Sequence, residues 1–165
     1  MKKIAYLIFA SFLIIALNSS CDPCKKKDCG QYGNCDNGDC ICDCGASKDA
    51  DGKCNVNDRD QYIASYIANG TTSDGGSFSN FNFRCNPSSD AFNSIEFDLS
   101  EINFPKFKGE ICSSPAVVFD PFTDSSTGDA YIGSASRSGN ILTLSIERTT
   151  SIGSKTTYTF TGNKQ

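Results

Sequence analysis

The chain has 165 residues, with 15 Lys and Arg against 19 Asp and Glu and a formal net charge of -4. It contains 10 cysteines but no histidine and no tryptophan. A nucleic-acid-binding protein needs a basic surface, so the acidic balance argues against that class. Without histidine the chain lacks the most common general base, and serine–histidine and cysteine–histidine catalytic pairs are excluded within it.

The first 20 residues have the pattern of an export signal. Lys2 and Lys3 provide a positive start, and residues 4–17 form an uncharged, mostly apolar run. A membrane-spanning helix needs about 20 apolar residues, so this run is too short to span a bilayer and fits the apolar part of a secretory signal. No later segment of the sequence reaches that length. The pattern therefore predicts an exported protein.

Two small residues, Ser19 and Ser20, precede Cys21. This segment resembles a bacterial lipoprotein signal of the relaxed Bacteroidetes type, which implies that Cys21 is diacylated and becomes the mature N-terminus. An anchor at Cys21 would hold the protein at the outer membrane or cell surface without a transmembrane helix. The alternative is cleavage by the ordinary signal peptidase, whose preference for small residues Asn18 fits poorly.

Seven of the ten cysteines lie between residues 24 and 54. Such density in an exported chain predicts a disulfide framework, because about 30 residues cannot bury enough apolar surface to fold unaided. A zinc site formed by these cysteines is the alternative interpretation. However, single residues separate Cys40, Cys42 and Cys44, whereas structural zinc sites favour gaps of two to four residues. We therefore expect no metal and no cofactor.

The cysteine spacing, with Asp28-Cys29-Gly30, Gly33-Asn34-Cys35 and Gly38-Asp39-Cys40, resembles an EGF-like module over residues 24–54. In that family the six cysteines pair first with third, second with fourth and fifth with sixth. The resemblance implies the disulfides Cys24–Cys35, Cys29–Cys40 and Cys42–Cys54. Cys44 is additional, and the long last loop leaves a Cys44–Cys54 bond as an alternative.

The number of cysteines available for disulfides is odd if Cys21 is acylated. If Cys21 is acylated, nine remain. We expect a Cys85–Cys112 bond in the following domain, which leaves Cys44 as the unpaired candidate. If Cys21 is not acylated, a Cys21–Cys44 bond would complete the pairing.

From about residue 60 the composition shifts to Phe, Tyr, Ile and Thr, which suit half-buried strands. Apolar and polar residues alternate in residues 81–85, 95–99, 142–147 and 157–161, and no helical period is visible. Further strands are expected at residues 61–68, 116–119 and 130–135. The pattern predicts an all-β chain: a disulfide-rich EGF-like module followed by an antiparallel barrel or sandwich of about eight strands.

The expected division is a signal at 1–20, an anchor at 21–23, the EGF-like module at 24–54, a linker at 55–60 and the β domain at 61–165. The stretch Gln61-Tyr62-Ile63-Ala64-Ser65-Tyr66 and the terminal hairpin at 139–161 are similar to lipocalin-like domains of some bacterial lipoproteins. That resemblance implies a barrel that binds an apolar ligand. The many phenylalanines between residues 78 and 122 would line its cavity, although an ordinary core is the simpler interpretation.

Few residues suggest chemistry. Glu96 and Asp98 share a strand face and could act as an acid–base pair, but the solvent face of an amphipathic strand is the simpler explanation. Acidic residues of the module could bind calcium, but aspartates are also common in turns; they are Asp36, Asp39, Asp43, Asp49 and Asp51. No phosphate loop or nucleophile elbow is present.

These features favour a non-catalytic, membrane-anchored envelope lipoprotein that binds a protein or glycan partner or has an adhesive or structural role. The EGF-like module would act as a spacer between the anchor and the β domain. The alternative is a lipocalin-like carrier of an apolar small molecule. A glycan hydrolase using Glu96 and Asp98 is a third, weaker hypothesis.

Overall fold

A computed structural model of the protein describes residues 22–113 and 116–165. The predicted signal and Cys21 lie outside the described residues. The described part of the chain is all-β, with 55% of the described residues in strands and 5% helical. A cluster of disulfides occupies the N-terminal region, and an antiparallel barrel closed by eight strands follows it. The predicted fold class is confirmed, and the barrel alternative is correct.

The cysteine-rich region contains two small sheets. Strands β1 (Gly33–Asp36) and β2 (Asp39–Cys42) form a hairpin, and β3 (Ala46–Ser47) pairs with β4 (Val56–Asn57). The hairpin turns through Asn37 and Gly38, both with positive φ. An Asn-Gly pair suits such a two-residue turn because asparagine tolerates, and glycine readily adopts, the left-handed region.

A short 3₁₀ helix, Asp58–Gln61, connects this region to the barrel. Its N-cap is Asn57, whose side-chain oxygen accepts a hydrogen bond from the Arg59 backbone N–H at 3.0 Å. Residues 55–60, predicted as a linker, therefore form β4 and most of this helix. The first barrel strand begins at Ala64, three residues later than its expected start at residue 61.

The remaining strands are β5 (Ala64–Thr72), β6 (Ser77–Pro87), β7 (Ser94–Asp98), β8 (Phe107–Ser113), β9 (Ala116–Phe119), β10 (Phe122–Thr123), β11 (Ala130–Ser138), β12 (Ile141–Thr149) and β13 (Lys155–Lys164). The ring runs β5–β6–β7–β8–β9–β11–β12–β13, and β13 pairs with β5 to close it. The short β10 continues the β9 side of β11. Closure pairs strands that would otherwise be exposed edges.

The apolar members of the alternating runs face the barrel interior. They are buried, and they include Phe81, Phe83, Ile95, Phe97, Leu142, Leu144, Ile146, Tyr158 and Phe160. Asn86 and Pro87, a residue pair common in turns, instead continue β6 and pair with Glu96 and Ile95. Pro87 is the last residue of β6, so the N–H that proline lacks is missing only at the end of the ladder.

The two ends of the barrel differ. The 3₁₀ helix enters β5 at the end that also holds residues 88–93 and the β11–β12 hairpin, which we call the module end. The far end holds residues 73–76, 99–106, 120–129 and 150–154. No helix within the described ranges is long and apolar enough to span a membrane.

Candidate functional site

Four disulfides link described cysteines. Three of them are Cys24–Cys35, Cys29–Cys40 and Cys42–Cys54, the pairing that the EGF-like resemblance implies. Each closes a loop with a sequence separation of 11 or 12. Loop-closure entropy of that size stabilises the folded state by about 3 kcal/mol per bond. The paired cysteines have no thiolate available for zinc.

The fourth disulfide corrects the expected pairing. Cys112 bonds to Cys44, not to Cys85, and Cys44 is therefore not the unpaired cysteine. Cys85 is a free, buried thiol with 1% of its surface exposed. The reason is the direction of the side chains: Cys85 points into the barrel, whereas Cys112, next to the inward Ile111, is exposed on the outer wall.

The Cys44–Cys112 bond lies within a packed junction between the cysteine-rich region and the barrel. Gly45 has a φ of +85°, and a Cβ at this position would clash with Asn93 and the Ile111 carbonyl. The Asn93 side-chain amide donates to that same carbonyl at 3.2 Å. Only glycine combines this backbone conformation with so close an approach.

Contacts on the other side of the junction involve residues 88–94. The Asn57 amide donates to the Phe92 carbonyl at 2.8 Å, and the Tyr32 ring stacks on the Phe92 ring with centroids 4.7 Å apart. The Arg59 guanidinium donates from Nη1 to three carbonyls, those of Ser88, Ala91 and Ser94, at 3.2–3.3 Å. The Arg59 guanidinium thus holds the loop at residues 88–94, against which the module packs.

The two acids considered for catalysis are engaged with one lysine. Lys106 Nζ lies 3.1 Å from Glu96 Oε1 and 3.0 Å from Asp98 Oδ2. Hydrogen bonds from Ser100 and then from Lys106 lower the pKa of Asp98 below its usual range. A general acid in glycoside hydrolysis needs a raised pKa, so this geometry favours a surface ion-pair cluster.

Asp49, one of the acids considered for calcium, serves as a turn residue. Asp49 Oδ1 accepts hydrogen bonds from the backbone N–H groups of Asp51 and Lys53, and Oδ2 accepts from the Asn55 amide at 2.7 Å. The hydrogen bond from the Asn55 amide, followed in size by the one from the Lys53 backbone N–H, lowers the pKa of Asp49. Within residues 22–113 and 116–165, no group of three or more His, Cys, Asp or Glu side chains is arranged to hold a metal.

Aromatic rings pack across the barrel interior. Phe104, from the loop that follows the short 3₁₀ turn Ser100–Ile102, enters at the far end. Its ring centroid lies 4.6 Å from that of Tyr158 and 5.7 Å from that of Phe160. An eight-stranded barrel is just wide enough for side chains or one small ligand. Apart from Phe92, which stacks on Tyr32, the phenylalanines therefore form the core, and Phe104 closes its far end.

Two described pockets on the outer wall meet at Asp120. One, of about 240 Å³, is bordered by Glu96, Lys106 and Lys108. The other, of about 290 Å³, is mostly apolar, with Val118 and Pro121 between Glu110 and Asp120. No sequence motif marks this second pocket, although the alternation of residues 116–119 places Val118 on the same face as Ala116.

No protein-family model matches the chain, and no curated protein matches it either. Multiple disulfides indicate an exported or extracellular protein, because such bonds persist in oxidising compartments.

Proposed function

We propose that the chain is a membrane-anchored lipoprotein of the bacterial envelope, with a non-catalytic binding, adhesive or structural role. The observation that carries this proposal is the cysteine balance. Eight of the nine described cysteines are in disulfides, and the ninth, Cys85, is buried in the barrel. Cys21 therefore has no accessible partner thiol among them, which supports acylation over a Cys21–Cys44 bond.

The EGF-like identity of residues 24–54 is part of the proposal. Its support is the pairing of the six family-type cysteines together with the β1–β2 hairpin between Gly33 and Cys42. The additional Cys44 connects this module to barrel strand β8. The module would then hold the barrel in a fixed orientation near the membrane, with the far end of the barrel directed away from the membrane.

The intact mass of the protein, purified from its own membranes and alkylated unreduced in denaturant, tests the anchor. We expect a mass that includes acyl chains at Cys21 and one alkylated thiol, Cys85. The Cys21→Ala variant should leave the membrane fraction, whereas the control Cys85→Ala should stay in it. An unacylated mature chain, or a Cys21→Ala variant that remains with the membrane, would reject the proposal.

A carrier of an apolar small molecule is the second candidate, and the position of Phe104 favours it. The ring enters the barrel from a loop and is only half-buried, so a ligand could take its place among Tyr158, Phe160 and Tyr131. Apolar pockets with few polar groups are typical small-molecule sites.

Titration with the neutral fluorophore N-phenyl-1-naphthylamine tests this candidate. A carrier should bind the probe saturably, and Phe104→Ala should tighten binding about tenfold because the competing ring is removed. Ile141→Ala, at the exposed start of β12, is the matched control and should leave the affinity unchanged. Absence of saturable binding in both the parent and Phe104→Ala would reject carriage.

A further inference from the structure

The outer-wall pocket at strands β8 and β9 exposes an unusual amount of apolar surface. Val118 is 68% exposed, the largest value for a bulky apolar residue within a described strand. Ile132, on the neighbouring strand β11, is 49% exposed. Val118 pairs with Ser134, so Ile132 is its diagonal neighbour on the same face. Single exposed apolar residues are common, but adjoining ones mark interaction sites.

Two carboxylates border this apolar surface. Glu110 pairs with Val118 across the β8–β9 ladder, and Asp120 follows β9. Neither is in an ion pair with a described residue, and the pocket has no Lys or Arg in its lining. Lys108, whose backbone carbonyl accepts a hydrogen bond from the Asp120 N–H, has its ammonium 2.9 Å from Asp90 Oδ2. The pocket thus combines an apolar floor with negative charge at its rim.

The charge of this pocket determines which kind of partner it can bind. A second copy of the acidic chain would bring its own Glu110 and Asp120 against this rim, and like charges in an interface are unfavourable. A neutral glycan would leave the apolar surface uncovered. A cationic group flanking an apolar side chain matches both features, because it neutralises the carboxylates while the apolar group covers Val118.

We propose that the pocket around Val118 binds a segment of a partner protein that presents an apolar side chain next to Lys or Arg. This inference rests on the proposed non-catalytic binding role and specifies its site and partner chemistry. The pocket adjoins Cys112, so the Cys44–Cys112 bond fixes its position relative to the module. Arginine suits such a rim because its guanidinium can bind carboxylates in a bidentate manner.

The test uses the whole purified protein with its disulfides intact and a fluorescein-labelled peptide of alternating leucine and arginine. Anisotropy should show saturable binding that weakens with added salt. Val118→Ser should reduce affinity about tenfold through loss of apolar contact. Glu110→Gln with Asp120→Asn should reduce it by a similar factor and also remove most of the salt dependence.

Matched controls keep the interpretation specific. Ile141→Ser changes an apolar residue of 45% exposure on another part of the wall, and Asp36→Asn with Asp39→Asn removes two exposed charges from the module. Both controls should bind the peptide as the parent does. Equal losses in the controls, or unchanged binding in both pocket variants, would overturn the inference.

Two further measurements distinguish the proposed cationic partner from other occupants of the pocket. If sedimentation shows a dimer that Val118→Ser dissociates, the occupant is a second copy and the inference is wrong. A glutamate-for-arginine peptide that binds equally well would also overturn it. Acylated Cys21 without peptide binding rejects only this inference, whereas peptide binding by an unacylated chain rejects only the anchor.

Discussion

Cys85 is the only free cysteine among the described residues, and it is buried. It faces the barrel interior, near Tyr66, whose hydroxyl donates to the Tyr62 carbonyl at 2.9 Å. Burial raises the pKa of the Cys85 thiol, and burial also raises the pKa of Tyr66 to about 12. A thiol that stays protonated and covered is a packing residue, because thiolate is the reactive form.

We therefore expect native protein to resist alkylation by iodoacetamide at pH 8, and to incorporate one equivalent only after unfolding. Measuring incorporation by mass across a urea series should give a midpoint that matches the loss of circular dichroism. Cys85→Ala, as the control, should incorporate none at any urea concentration. Rapid alkylation in the absence of urea would contradict the buried position.

Arg59 stabilises the fold through hydrogen bonds to three backbone carbonyls of the loop at residues 88–94. Hydrogen bonds to a charged donor contribute about 1.5–3 kcal/mol when the partners are shielded from water. Arg59→Met retains the apolar stem but leaves these carbonyls without the guanidinium. We expect it to lower the free energy of unfolding by about 2 kcal/mol, measured by urea denaturation.

Arg84→Met provides the comparison for Arg59→Met, since Arg84 is exposed on the outer face of β6. It should change the free energy of unfolding by less than about 0.5 kcal/mol, as surface substitutions usually do. Equal effects of the two substitutions would show that the carbonyl contacts of Arg59 contribute little.

At the scale of the strands, two glycines let aromatic rings pack directly against the sheet. A Cβ at Gly162 of β13 would lie 2.6 Å from Phe83 Cε1, and one at Gly70 of β5 would clash with Phe160. Gly162→Ala should therefore destabilise the fold by about 1–3 kcal/mol through overpacking. Thr161→Ala, exposed on the same strand, is the control and should change thermal stability little.

How far the sequence predicts these strands depends on what each strand contacts. The alternation of residues 142–147 and 157–161 identifies β12 and β13, because period two reports which side chains are inward. The β9–β11 closure involves only three residue pairs, Ser134–Val118 to Ser136–Ala116, and no local pattern encodes it. Likewise, alternation about Ile111 indicates that Cys112 points outward, away from Cys85, but not that Cys44 lies beside it.

For the whole molecule, the Cys44–Cys112 bond joins residues 68 positions apart and connects the two parts of the structure. Loop-closure entropy for that separation predicts about 4 kcal/mol, more than each short loop of the module provides. Arg59, Gly45 and the Tyr32–Phe92 stack hold the same junction. Removal of the Cys44–Cys112 disulfide should therefore loosen the packing between the module and the barrel without unfolding either part.

The double variant Cys44→Ser with Cys112→Ser separates these contributions. We expect its barrel transition in urea to shift to a lower midpoint, and limited proteolysis to cut near residues 55–60 once the junction opens. Adding Arg59→Met to the double variant should increase cleavage further, because both substitutions weaken one interface. If cleavage of the double variant equals that of the parent, the non-covalent contacts alone fix the module on the barrel.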